Sequence, residues 1–162
     1  MKTRCLFLAL GVPPRNEEIV IREATSEDVS QIISSSRATS RFRMSEFTNE
    51  IDEEEIRFWI SDVRSIVIVA THDSGLLGYA YGFCLSPKWF FFDVFLVVPR
   101  ARKSGIGKEM YHYLREACRM RGIELIQGLV KDGDPEALDY WIDSGFEQGS
   151  KCIWVEDRLD ED

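Results

Sequence analysis

The stretch Val97-Val98-Pro99-Arg100-Ala101-Arg102-Lys103-Ser104-Gly105-Ile106-Gly107-Lys108 decides how the rest of the chain is read. A run of apolar residues stops at a proline, which can neither donate to a sheet ladder nor continue an interior strand. From Ile106 onward, Met110, Tyr113, Leu114 and Ala117 recur at the spacing of one buried helix face. The segment therefore reads as a strand, a glycine-containing loop and a helix. The first turn of such a helix carries N–H groups without partners inside the helix, at the positive end of its dipole. An anion suits that place. Gly105 and Gly107 allow a phosphate to approach the backbone closely, and Arg102, Lys103 and Lys108 add positive charge.

Three phosphate-binding patterns and one bland alternative compete for this loop. A P-loop needs GxxxxGK[ST], but Glu109 follows Lys108 and no glycine stands five positions before Gly107. A dinucleotide fingerprint needs GxGxxG, and Met110 occupies the third glycine position. Neither pattern fits. The bland alternative, a turn that uses glycine only to bend, leaves the three basic residues and the preceding Val-x-Pro unaccounted for.

Working outward, Glu18 to Glu23 alternates as a strand, and Thr25 with Asp28 carries a helix-start signature ahead of Val29, Ile32 and Ile33. Thr48 or Asn49 can cap a second helix that buries Ile51, Ile56, Trp59 and Ile60. Ser65 to Ala70 and Leu77 to Leu85 read as a hairpin turning at His72-Asp73-Ser74-Gly75, and Trp89 to Val98 as the next strand. Gly122 fits the residue after the long helix. Ile123 to Val130 reads as a buried strand, and Asp134-Pro135 opens a last helix that Gly145 closes. Phe146 to Val155 reads as a final hairpin. The order β-α-α-β-β-β-α-β-α-β-β predicts an α/β protein with a mixed, mainly antiparallel sheet flanked by helices. Domain boundaries are expected at an N-terminal extension over 1–17, one domain over 18–156 and an acidic tail over 157–162.

The 162 residues suit one domain, and 44 % hydrophobic with 30 % charged residues describe a globular chain. A net charge of −8 speaks against nucleic acid as a partner. Cys5, Cys84, Cys118 and Cys152 lie far apart, and His72 and His112 do not complete a metal-ligand cluster, so no metal is expected. Scattered cysteines predict reduced thiols and a cytoplasmic location. The apolar run Cys5 to Val12 is too short for a signal peptide and lacks a cleavage site, and no segment is long enough to span a membrane.

The hallmark V-x-P-x-x-R/Q-x-x-G-x-G/A, met here by Val97, Pro99, Arg102, Gly105 and Gly107, resembles that of the GNAT superfamily of acyl-CoA-dependent N-acetyltransferases. The resemblance covers residues 18 to 155, including the order of elements. It implies the GNAT fold and acetyl-CoA as co-substrate. It also implies pyrophosphate binding by the backbone of Lys103, Ser104, Gly105, Ile106, Gly107 and Lys108, with Arg102 beside them. Main-chain groups of Phe95, Leu96 and Val97 would meet the pantetheine arm and the acetyl carbonyl, where two strands splay apart.

Acetyl transfer to an amine needs a base, a polarised carbonyl and a proton for the departing thiolate. Asp93 is the candidate base: alternation sets it with Phe91, Phe95 and Val97 on an apolar face that would raise its pKa. The alternative, a carboxylate that only accepts structural hydrogen bonds, stays open. Many relatives carry N-x-x-A-x-x-x-Y on the last helix, with Asn on the cofactor arm and Tyr as acid. Asp134, Ala137 and Trp141 stand there instead. Indole is no acid near neutral pH, so Tyr140 from an altered helix, water or another residue would protonate sulfur. Glu46, Glu50, Asp52, Glu53, Glu54 and Glu55 form an acidic mouth for a cationic amine or simply a solvated helix start. The expectation is an N-acetyltransferase acting on a small-molecule or peptide amine. A GNAT-fold sensor that binds acyl-CoA with little turnover is the other reading, and a homodimer is left open.

Overall fold

The computed structural model describes residues 19–38, 51–73, 75–153, 155 and 157. The expected extension over 1–17, the caps Thr48 and Asn49, the acidic Glu46 and Glu50, and the tail apart from Asp157 lie outside the described residues. The chain divides into two compact units after Leu129.

In the first unit, five strands run in the order β1-β2-β3-β4-β5. They are β1 (Val20–Glu23), β2 (Ser65–His72), β3 (Gly75–Ser86), β4 (Trp89–Val97) and β5 (Leu125–Gly128). The first four pair antiparallel, and β5 joins β4 in parallel after the crossover helix α3 (Ile106–Met120). Two shorter helices, α1 (Val29–Arg37) and α2 (Glu53–Ser61), lie between β1 and β2 in sequence. The mixed, mainly antiparallel sheet is the expected one.

Each face of the sheet is set by the alternation of β3, Gly78-Tyr79-Ala80-Tyr81-Gly82. Its large residues pack with Val29, Ile32, Ile56, Val67, Val69, Val94 and Leu96 into the core under α1 and α2. Its small residues face α3, which buries Ile106, Met110, Leu114, Ala117 and Cys118. A Cβ on Gly78 would stand 2.7 Å from Met110 Sδ, so glycine is what lets helix and strand come together. Full burial of each such Ile or Leu contributes roughly 1.5–3 kcal/mol.

The start of α1 is tied to β1 by a buried carboxylate. Asp28 accepts from Arg22 at 2.7 and 2.9 Å and from the Thr25 N–H at 2.8 Å. Those donors, the Arg22 guanidinium foremost, hold its carboxyl below the usual range. The expected reciprocal pairing of Thr25 and Asp28 is thus met from the Asp28 side. Asp52 caps α2, accepting from Glu55 N at 2.8 Å. Ile56 is buried, with Ile51, Trp59 and Ile60 packed partly against the core.

Three expectations need correction. β5 is shorter than 123–130 and alternates between exposed and half-buried, with Leu125 46 % exposed, because it is the sheet's last strand. No strand forms among the described residues of 146–155, so the final hairpin is absent there. The third concerns β4. Its register with β3 shifts between Tyr81 and Gly82: Tyr81 pairs with Val94 and Gly82 with Phe92, so Asp93 is the extra residue of a bulge. Simple alternation therefore breaks at Asp93. Phe91 shares the face of Phe83, whereas Phe95 and Val97 pair with Ala80 and Gly78 on the α3 face.

The second unit carries α4 (Pro135–Asp143), with Asp134 as N-cap and Pro135 in the first turn, as its sequence predicts. Gly145 takes φ +94° just past its end.

Candidate functional site

The loop between β4 and α3 is built to expose backbone N–H groups. After a single 3-10 turn over Pro99–Ala101, Lys103 takes φ +60° and Gly105 φ +94°. The two left-handed residues turn the backbone sharply just ahead of a helix start whose first N–H groups have no partner within the helix, a place suited to an anion. Gly105 is the N-cap of α3 and offers no side chain to its first turn, where the first helical bond is Glu109 N to Gly105 O at 3.2 Å. A Cβ on Gly105 would meet nothing within 4 Å, so the conformation itself, and not crowding, asks for glycine. Ser104 ties the loop down through Oγ to Ala101 O at 2.6 Å. Lys103 and Lys108 are exposed beside it.

Arg102, expected beside the anion, also ties the loop to the sheet. Its Nε donates to Val97 O at 3.1 Å, clamping the loop to the end of β4. Arg100 makes a second clamp, to Leu76 O at 3.1 Å. Ile106 is buried and anchors the first turn in the core, so only its backbone is offered to the loop.

Next to this loop lies a strand that loses its neighbour. β5 pairs with β4 only from Trp89 to Phe92 and ends at Gly128, whereas β4 continues through Phe95, Leu96 and Val97. Beyond Phe92 no described strand of the sheet pairs with that side of β4. The pairing of β4 with β5 thus halts at Phe92, at the stretch where the two strands are expected to splay. A Cβ on Gly128 would lie 2.1 Å from the Phe92 ring, so this ring closes the end of the paired region.

Asp93 sits where the pairing stops. Its side chain reaches solvent, yet burial among its neighbours raises its carboxyl above the ordinary range, offset in part by hydrogen bonding from the Tyr81 hydroxyl. Tyr81 is 2 % exposed, and burial first, then the Asp93 and Glu55 charges, push its hydroxyl well above ordinary phenol. Glu55 of α2 is likewise raised, by burial first, with the charges of Asp52 and Asp93 adding to it. The buried Trp59 Nε1 lies close enough to favour charged Glu55 but outside hydrogen-bond geometry. Trp59 in turn stacks on Tyr81 and Phe83, with centroids 5.7 and 5.2 Å away. The result is an aromatic shelf with two carboxyls that both hold their protons above the ordinary carboxylate range.

Sequence reasoning missed Glu55 as distinct from its acidic neighbours, and Tyr81 altogether. A signal for Tyr81 existed, since a tyrosine at a core position of β3 needs a polar partner for its hydroxyl. Asp52, by contrast, is a cap, and Glu53 pairs with Arg57 at 2.6 Å along the helix surface.

Asp134 and Tyr140 belong to the second unit. Asp134 accepts from Ala137 N at 3.1 Å, so its carboxylate serves the helix start. Trp141 is buried, with the rings of Tyr140 and Phe146 each 5.0 Å away and edge-on. It is the packing centre of α4.

These features set a glycine-containing strand–loop–helix turn beside a carboxyl raised above its ordinary range. The acetyltransferase (GNAT) family matches residues 32–146, and the chain belongs to that family. No curated protein matches the chain. Among solved structures, it is similar to an aminoglycoside acetyltransferase from an uncultured soil metagenomic sample, in complex with trehalose. That likeness has 16 % identity and a TM-score of 0.74, covering 91 % of this chain and 100 % of the other. It is also similar to AAC(6')-Iy in complex with the bisubstrate analogue CoA-S-monomethyl-acetylneamine, at 14 % identity and a TM-score of 0.72, covering 88 % and 100 %. A transcriptional regulator from Bacillus halodurans matches at 20 % identity and a TM-score of 0.70, covering 85 % and 99 %. Such likenesses give the fold. No described helix is long and apolar enough to cross a membrane.

Proposed function

We propose that this chain transfers acetyl from acetyl-CoA to a primary amine, carried by a small molecule or a peptide, with Asp93 as the base. The observation that carries this reading is the left-handed pair Lys103 and Gly105 opening α3. It suits the pyrophosphate of a CoA ester, held by the backbone from Lys103 to Lys108. The stretch Phe95–Val97, beyond the reach of β5, suits the amide groups of a pantetheine arm. Bound acetyl-CoA would supply an activated thioester and a thiolate leaving group. Asp93, as a carboxylate, takes the proton an ammonium acceptor must lose, and its raised pKa suits that work near neutral pH. Glu55 and the shelf of Trp59, Phe83 and Phe91 favour a cationic acceptor through charge and ring faces. Tyr140 is the proposed proton source for the departing sulfur.

A second reading is supported by Trp141, which stands where relatives carry the tyrosine and packs against Phe146. On that reading the chain binds acetyl-CoA and signals its presence with little turnover. Calorimetry with acetyl-CoA, followed by release of free thiol over a panel of spermidine, aminoglycosides, amino acids and basic peptides, separates the two. Binding with turnover of at least one amine is the expected outcome. Binding with silence across the panel overturns the enzyme in favour of the sensor, and binding of ATP or NAD without acetyl-CoA overturns both.

A further inference from the structure

We propose that Tyr81 is the positioning residue for Asp93: its hydroxyl, fixed by an aromatic stack, donates to the carboxylate that the bulge of β4 delivers to it. This rests on the reading of Asp93 as the base.

The delivery follows from the register. Tyr81 pairs with Val94 and Gly82 with Phe92, so the unpaired Asp93 emerges beside Tyr81 and is not alternated away to the α3 face. A Cβ on Gly82 would lie 2.2 Å from Phe91 O and 2.6 Å from Phe92 Cα, so glycine there is what lets β4 close over β3 at the bulge. The aim of the donor follows from packing. The Tyr81 ring stacks with Tyr79, 6.4 Å away at an interplanar angle of 9°, and with Trp59, 5.7 Å away at 29°. A buried ring packed against two others is restricted in its χ angles, and with them in where its hydroxyl can reach.

The neighbouring tyrosine cannot take the role. Tyr79 Oη is joined to Ser36 Oγ of α1 at 2.5 Å. Among the described residues, the titratable groups facing Asp93 are thus Tyr79 and Tyr81 from β3 and Glu55 from α2. Glu55 repels a second negative charge, and burial disfavours ionised Asp93. Tyr81 is the group that pulls the other way, because a phenol donor favours the carboxylate over the neutral acid. It stays a donor throughout the working range, since its own ionisation is pushed upward.

The test is a carbon-13 NMR titration of Asp carboxyls in the full chain, with Asp93 assigned through Asp93→Asn. In Tyr81→Phe, which keeps the stacked ring, the Asp93 midpoint moves to higher pH, and in Tyr79→Phe it stays. With acetyl-CoA and the best amine of the panel, Tyr81→Phe loses about tenfold in kcat/KM at pH 7, mostly in kcat. The loss shrinks toward pH 9, which a merely structural defect would not do. In the unaltered chain, the labelled Tyr81 Cζ shifts with the same midpoint as Asp93, a readout that needs no variant to fold. An Asp93 midpoint unmoved by Tyr81→Phe, moved equally by Tyr79→Phe, or unseen at Tyr81 Cζ overturns the inference. If the midpoint moves but Asp93→Asn turns over normally, the base reading falls and Tyr81's hold on Asp93 stands.

Discussion

On one side of β3, Gly78, Ala80 and Gly82 face α3; on the other, Tyr79, Tyr81 and Phe83 face α1 and α2. The α3 side leads into the anion loop and works through main-chain groups, left-handed residues and a helix start. The opposite side works through side chains: stacked rings, Asp93 on its bulge and Glu55 across from it. Backbone chemistry tolerates many side chains but few conformations. Side-chain chemistry tolerates neither a lost hydroxyl nor a shifted register. The two halves of the proposed reaction should therefore fail in different ways.

The sharpest separation comes from Asp93→Asn. Turnover falls about 10²- to 10⁴-fold while calorimetric affinity for acetyl-CoA is unchanged; equal loss of both would erase the contrast. The same variant reports on stability. Because the folded-state pKa is raised above the unfolded value near 3.9, the native chain holds its proton more tightly. Asp93 thus costs stability progressively as pH rises from about 4 through its folded pKa. Asp93→Asn should melt roughly 2 °C higher at pH 7, with the gap closing near pH 3.5.

Gly105→Val breaks the other side. Space is open there, so the cost is the φ of +94°, about 1–2 kcal/mol for a β-branched residue. Acetyl-CoA affinity drops about tenfold or more by calorimetry, whereas kcat at saturating co-substrate stays within about threefold. The smallest effect is expected from Lys103→Gly. It removes one charge but relieves a side chain held at φ +60°. Affinity then changes by less than about fivefold, more at low salt than at high, and stability rises by up to about 1 kcal/mol.

What could be read from the sequence divides along the same line. The loop was legible because proline, glycine and the helical spacing after Ile106 are local signals with direct backbone meanings. Asp134-Pro135 and Gly122 were legible for the same reason, and Gly122 does take φ +73°. The acceptor side was only partly legible. Asp93 stood out as a lone carboxylate among aromatics, but its partners depend on a register shift between two strands. No local pattern announces a bulge, so Phe95 and Val97 were set on the wrong face. The final hairpin over 146–155 was read from apolar spacing around Gly149-Ser150, and spacing alone does not supply a strand to pair with. Asp134 is expected on the cofactor arm because it matches a motif position, and the cap it makes for α4 follows from the local Asp-Pro signal.

The bulge at Asp93 also constrains how this chain can change over time. Strand β4 carries one residue more than its partner at that point. Deleting that surplus residue would leave a regular ladder, Phe92 opposite Gly82 and Val94 opposite Tyr81, so the downstream faces would hold while the carboxylate is lost. Phe95 and Val97 would keep the α3 face, and Leu96 would stay opposite Tyr79 in the core. The sheet itself would thus survive loss of that residue, and lineages descended from this chain are expected to keep the surplus only where its carboxylate is used.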